Sequence, residues 1–220
     1  MPEPLDLLHA AYADLSEVLS SLSAGEGWQP TGCAGWTPVD LGFHLLGDAR
    51  RALVALHTPA PGPADTTAVD YWRAWRPPAP DDEDELWSTR VAASVQGGLG
   101  AVQRRYAEAS AAVVVAAGRV APDEVVASQG AALTVADLLS TLVVEAAVHH
   151  LDLVLHLDRP GPGPAPLAEV RRVLEGLLGG PLPQEWDDVT VARRGTGREP
   201  LEAGDRAELG AAAERFPLFG

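Results

Sequence analysis

Glu145 and His149 stand four residues apart in the stretch 142–153, which otherwise reads as buried helix. Four residues is just over one helical turn, so the two side chains project from one face. A carboxylate and an imidazole turned together into apolar surroundings are costly unless something compensates them. A divalent cation would do so, and it would need a third protein donor from elsewhere in the chain. His44, in Trp36-Thr37-Pro38-Val39-Asp40-Leu41-Gly42-Phe43-His44-Leu45-Leu46, is the best candidate. Two imidazoles and a carboxylate leave room for water or substrate, which separates a catalytic site from a closed structural one. His44 taken by itself has an ordinary alternative, a core histidine bonded to a neighbouring carbonyl. His150 points roughly 100° away from His149 and is expected not to be a ligand. Asp152, three residues past His149, either orients the second ring nitrogen or serves as a capping or exposed acid.

Other reactive side chains are less promising. Cys33 is the only cysteine, which excludes an intramolecular disulfide and a thiolate metal cluster. It lies in Gly32-Cys33-Ala34-Gly35 with no motif around it, so a small hydrophobe is the expected role. His9 reads as a surface residue, and Arg104 and Arg105 as part of a solvated face.

Four helices position the candidates. Apolar residues from Leu5 to Leu22 recur at three- and four-residue intervals, the mark of an amphipathic helix over 4–23. Thr37 caps the second, with Pro38 at its first position and Asp40 at N3. That helix runs to about residue 56 and carries Leu41, His44, Leu45 and Asp48 on one stripe. A third is expected over 86–118, weakened at Gly97, Gly98 and Gly100. Thr134-Val135-Ala136-Asp137 repeats the earlier cap and opens the fourth, to about residue 157. The matching caps suggest paired helices with the metal candidates facing each other. Between the second and third, Pro59, Pro61, Pro63, Pro77, Pro78 and Pro80 forbid a continuous helix. Asp81-Asp82-Glu83-Asp84-Glu85 is a solvated acidic run. Tyr71, Trp72 and Trp75 either plug this crossover onto the bundle or line a pocket. Residues 122–130 read as a connection and 159–166 as the end of the bundle. The tail reads as a helix over 166–178, a strand over 188–193, a turn at 195–198 and a short helix over 203–215.

The chain's 220 residues and 46% hydrophobic content suit one main domain with a small appendage. A formal charge of −15 argues against nucleic acid or an anionic membrane as a partner. No stretch approaches ~18 uninterrupted apolar residues. Met1-Pro2-Glu3-Pro4 lacks the features of a secretory leader, so a cytoplasmic location is expected. Oligomeric state stays open, a homodimer included.

The run Gly35-Trp36-Thr37-Pro38-Val39-Asp40 leading to His44-Leu45, with Glu145, His149, Asp152 and Leu153 much later, resembles the mycothiol-dependent maleylpyruvate isomerase family. That family belongs to the DinB-like metalloprotein superfamily. The segments 196–201 and 215–218 are similar to endings found among its members, so the resemblance runs from about residue 5 to the end. It implies a mainly α fold: a DinB-like four-helix bundle with a long crossover over 1–160, and a small C-terminal α/β module over 161–220. It also implies a divalent metal, zinc for preference, on His44, Glu145 and His149, with mycothiol or a similar thiol as cofactor. Metal coordination deprotonates a thiol, and the thiolate can attack an electrophile. The expected function is S-transfer to, or isomerisation of, an electrophilic small molecule. Metal-bound water acting without a thiol, and a non-catalytic metal- or ligand-binding module, are the alternatives. The tail is short for a true isomerase. Arg198 is the candidate catalytic arginine for a substrate carboxylate, against a plain structural role in its turn.

Overall fold

The computed structural model describes residues 3–75 and 83–219. The expected breaks at Pro77, Pro78 and Pro80 and the first acids of the acidic run therefore fall outside the described residues. Helix α1 (Pro4–Ser21) buries Leu8, Leu15 and Leu19, the inward stripe of its periodic sequence. Helix α2 (Pro38–Leu56) opens on the expected capping box. The Thr37 hydroxyl oxygen accepts from Asp40 N–H, and the Asp40 carboxylate accepts from Thr37 N–H at 2.9 Å. In the crossover, α3 (Ala68–Ala74) is capped by the Thr67 hydroxyl oxygen, which accepts from Asp70 N–H at 3.1 Å.

The helix expected over 86–118 is two helices, α4 (Glu83–Ser94) and α5 (Leu99–Ala117). Gly97 and Gly98 separate them with φ of 88° and 79°, a region that glycine enters without strain. The connection expected over 122–130 contains a strand. Antiparallel β1 (Val125–Ser128) and β2 (Ala131–Thr134) pair Val126 with Leu133 and Ser128 with Ala131. Val126 also bridges Pro59, which ties the hairpin to the crossover. Its two-residue turn, Gln129-Gly130, has positive φ at both positions, as a primed hairpin turn requires.

Helix α6 (Val135–Val154) follows directly, capped by Thr134, whose hydroxyl oxygen accepts from Asp137 N–H at 3.0 Å. Helices α1, α2, α5 and α6 pack on one another as the four-helix bundle, and the long crossover, described over 57–75 and 83–98, joins α2 to α5. Leu138, Leu142, Val143 and Ala146 of α6 enter this core. Val144, Ala147, Val148 and Leu151 enter a second core with α7 (Pro164–Leu178) and α8 (Asp188–Gly195). A helix buried from two sides is apolar nearly all round, so the polar groups at 145, 149 and 152 need an explanation.

The strand expected over 188–193 is instead helix α8. Asp187 caps it by accepting from Thr190 N–H at 2.7 Å, and Val191, Ala192 and Gly195 form its buried face. Packing of that face onto Leu174 overrides the β-branched composition. The chain ends through α9 (Ala203–Leu209) and a 3₁₀ segment, Gly210–Arg215. Both expectations for the crossover aromatics meet at Trp72: it is buried and stacks on Phe219 with ring centroids 4.4 Å apart, and with Tyr71 it lines a small cavity that Asp48 and Glu145 also line. Among the described residues, no helix is long and apolar enough to cross a membrane.

Candidate metal centre

Helices α2 and α6 lie side by side, and the residues expected to face each other do so. His44 Nε2 lies 3.0 Å from Glu145 Oε1, and His149 Nε2 lies 3.4 Å from the same oxygen. The two imidazole rings meet edge to face with centroids 4.8 Å apart. One donor atom from each of His44, Glu145 and His149 falls within 4.8 Å of the other two. The Trp36 ring packs against His44, tilted by 43° with ring centroids 5.1 Å apart.

The electrostatics describe a site built around one carboxylate. Burial pushes Glu145 up, but hydrogen bonds from His149 and His44 outweigh it and hold the carboxyl well below its ordinary range. Burial alone would discharge His149. Asp152, Cys33 and Glu145 together instead hold its proton well above the usual imidazole value. A group that binds a proton this firmly between carboxylates is a good place for a cation of higher charge, once the proton leaves. Asp48, also on α2, carries a similar signal. Asp48 is 3% exposed, and burial followed by the nearby Glu145 pushes its pKa up to about 6. Its Oδ2 is buried without a hydrogen bond. It lies 3.4 Å from His44 Nε2, so the Asp48 carboxylate pairs with an imidazole of the donor set and steadies it.

On the far side of His149, Asp152 is 2% exposed and its Oδ2 lies 2.9 Å from His149 Nδ1. This is the orienting arrangement rather than a cap or a surface acid. A carboxylate at Nδ1 keeps a proton on that nitrogen, so Nε2, which faces Glu145, is the nitrogen free to give up its proton to an ion. Asp152 in turn receives both Nε and Nη2 of Arg198 at 2.8 Å. Burial raises the Asp152 carboxyl, while His149 and Arg198 more than reverse this and hold it below the usual carboxylate range. Arg198 is thus brought to the site, with its fork on Asp152. His150 does not join it, since its Nε2 bonds the Pro160 carbonyl at 3.1 Å.

Sequence reasoning missed Cys33. Its Sγ lies 3.3 Å from Asp152 Oδ2 and 3.5 Å from His149 Nδ1, and these three residues form a second tight donor cluster. The Arg198 guanidinium already neutralises that side, so the His44 side is the better cation site. No local signal marks Cys33, because its partners lie 116 and 119 residues away. The loop carrying it docks through Gly32 N–H, which donates to the Asp152 carbonyl at 2.9 Å. A Cβ on Gly32 would sit 2.5 Å from Asp152 Oδ1 and 3.0 Å from its Cα. Gly32→Ala is therefore expected to cost about 2 kcal/mol by overpacking. In thermal denaturation this reads as a fall of roughly 4–8 °C in Tm, and an unchanged Tm would show that the loop is not held this tightly.

Residues 8–154 match the family model described as the mycothiol maleylpyruvate isomerase N-terminal domain. No curated protein and no solved structure matches the chain.

Proposed function

Since the chain belongs to the mycothiol maleylpyruvate isomerase N-terminal domain family, we propose that it is a metal-dependent enzyme using a low-molecular-weight thiol, mycothiol or one like it. Its reaction is S-transfer to, or isomerisation of, an electrophilic small molecule. The observation that carries this reading is the meeting of His44 Nε2, Glu145 Oε1 and His149 Nε2 across two helices. These three residues would hold a divalent cation, with zinc the first candidate for a His₂Glu set. When bound, the cation makes a coordinated thiol a thiolate at neutral pH.

The chain's own residues do the rest. Asp152 holds the His149 tautomer, and Arg198 holds Asp152. Trp36 packs its ring against His44. In this reading residues 1–160 carry the centre, and 161–220 contribute the arginine that steadies it. A thiol and an electrophile are the partners, and the cytoplasm, which keeps small thiols reduced, is the location.

The test is elemental analysis of untagged protein, followed by consumption of α,β-unsaturated and alkylating electrophiles with and without added thiol. We expect about one divalent ion per chain and turnover only when metal and thiol are both present. Turnover with metal alone would instead support metal-bound water as the reactive group. Metal-free protein that takes up no ion would overturn the enzyme reading.

A further inference from the structure

The fold commits Arg198 to Asp152, so a substrate anion needs a different arginine. Arg51, on α2, is placed for it. It gives Nη2 to Asp48 Oδ1, and its other nitrogens have no hydrogen-bond partner among the described residues. The buried Asp48 holds the guanidinium in place, while the Arg51 side chain itself is 46% exposed. The fork is fixed at one corner and open at the rest, an arrangement suited to a planar anion.

Arg51 lines the cavity of about 20 Å³ that Glu145 and Trp72 also line. That volume holds one water-sized group. The wall lacks an acceptor for one of its donors. Trp72 is 4% exposed and its indole N–H is buried without a partner, a state that costs free energy until an acceptor arrives. The acceptors close by are already engaged: Glu145 Oε1 by His44 and His149, and Asp48 by Arg51 and His44. Those pairings also offset the negative charge that would oppose an anion here. Outside lies a second pocket of about 400 Å³, which shares Tyr71 and Gln129 with the first. The Tyr71 hydroxyl donates to Gln129 Oε1 at 3.2 Å along that shared wall. The outer pocket has room for the body of a small molecule whose tip reaches inward.

We propose that Arg51 and Trp72 form the anion subsite of this centre and receive a carboxylate of the electrophile beside Glu145. The inference rests on the function proposed above and deepens it by naming the substrate class: electrophiles that carry a carboxylate, bound from the side of α3. One carboxylate oxygen fills the small cavity and accepts the Trp72 N–H. The other stays at the Arg51 fork, nearer the surface. The substrate is thus held against a wall that contains Glu145, the carboxylate shared by both imidazoles.

Succinate, an unreactive dicarboxylate, is the probe, with succinamide as its neutral counterpart. In ¹H–¹⁵N spectra of the full chain, the Trp72 indole signal is the one missing from Trp72→Phe, which keeps a ring against Phe219. Succinate should move that signal downfield as the N–H gains a charged acceptor, and succinamide should not. By calorimetry, Arg51→Gln should weaken succinate binding about tenfold to a hundredfold, the loss of a hydrogen bond between charged groups. Arg51→Lys should recover part of it, and Trp72→Phe should weaken binding about tenfold. The parent's indole signal needs no change at Arg51, so it decides the matter even if Arg51→Gln folds poorly. An indole signal unmoved by succinate, or moved equally by succinamide, overturns the proposal. Parent-like succinate binding in Arg51→Gln does the same. Metal content of the same samples judges the centre separately: metal-free protein whose indole signal still answers succinate keeps the anion subsite and defeats the metal centre.

Discussion

Glu145→Gln is expected to strip the protein of its ion while leaving the bundle folded. The side chain keeps its shape, and neither α2 nor α6 depends on it for packing, since their cores are built from Leu41, Leu45, Leu142 and Val143. It is nonetheless the one oxygen shared by both imidazoles, at 3.0 and 3.4 Å. Structural zinc sites bind with roughly 10–16 kcal/mol from about four ligands, so one ligand is worth on the order of 3 kcal/mol. The variant should therefore bind its ion about a hundredfold to a thousandfold more weakly, and purify with almost none. The pH dependence follows from the partner imidazole. His149 holds a proton more tightly than an ordinary histidine, and an ion must displace that proton to bind. Affinity of the parent should fall about tenfold per pH unit below the His149 pKa, and level off above it. Metal content by elemental analysis and chelator competition across pH measure both. Parent-like metal content in Glu145→Gln would remove Glu145 from the ligand set.

Much of this centre was legible because helical geometry is periodic. Glu145 and His149 share a face whatever the rest of the chain does, and the repeated Thr-x-x-Asp caps place the starts of α2 and α6 correctly. Asp48 was visible on the His44 stripe, but nothing local distinguishes a buried acid from a solvated one at that position. Its burial arises only when the helices pack. Cys33 shows the same limit more sharply, since a lone cysteine in a glycine-flanked loop has no periodicity to read. The error over 188–193 has a different origin. Val-Thr-Val alternates as a strand does, yet the Asp187 cap and the buried face of Val191 and Ala192 make it helix α8. Local propensity is weak beside the burial of a face. The helix break at Gly97 and Gly98 could have been taken at full strength, because two consecutive glycines at positive φ end a helix.

Arg198→Met should separate the two roles open to this arginine, and its effect on stability should be large. Asp152 is 2% exposed and receives both nitrogens of the guanidinium fork. Removing one partner of a buried pair leaves a charge without compensation and costs about 3–5 kcal/mol. Because His149 still donates to Asp152, the lower end, about 3 kcal/mol, is expected. The sign of the pH dependence is fixed by Asp152, whose carboxyl is held below its ordinary value in the folded state. A depressed folded pKa gives stability that is whole above the unfolded value, near 4. It is lost as pH falls from there toward the folded value. The gap between parent and Arg198→Met in urea unfolding should therefore be full at neutral pH and should narrow below about pH 4. The same variant should weaken ion binding about tenfold, because Asp152 would no longer hold His149 as firmly. An arginine that instead met a substrate carboxylate would leave metal affinity unchanged and raise KM. Parent-like stability and metal affinity together would show that the Arg198–Asp152–His149 chain carries no energy, and would return Arg198 to the substrate side of the site.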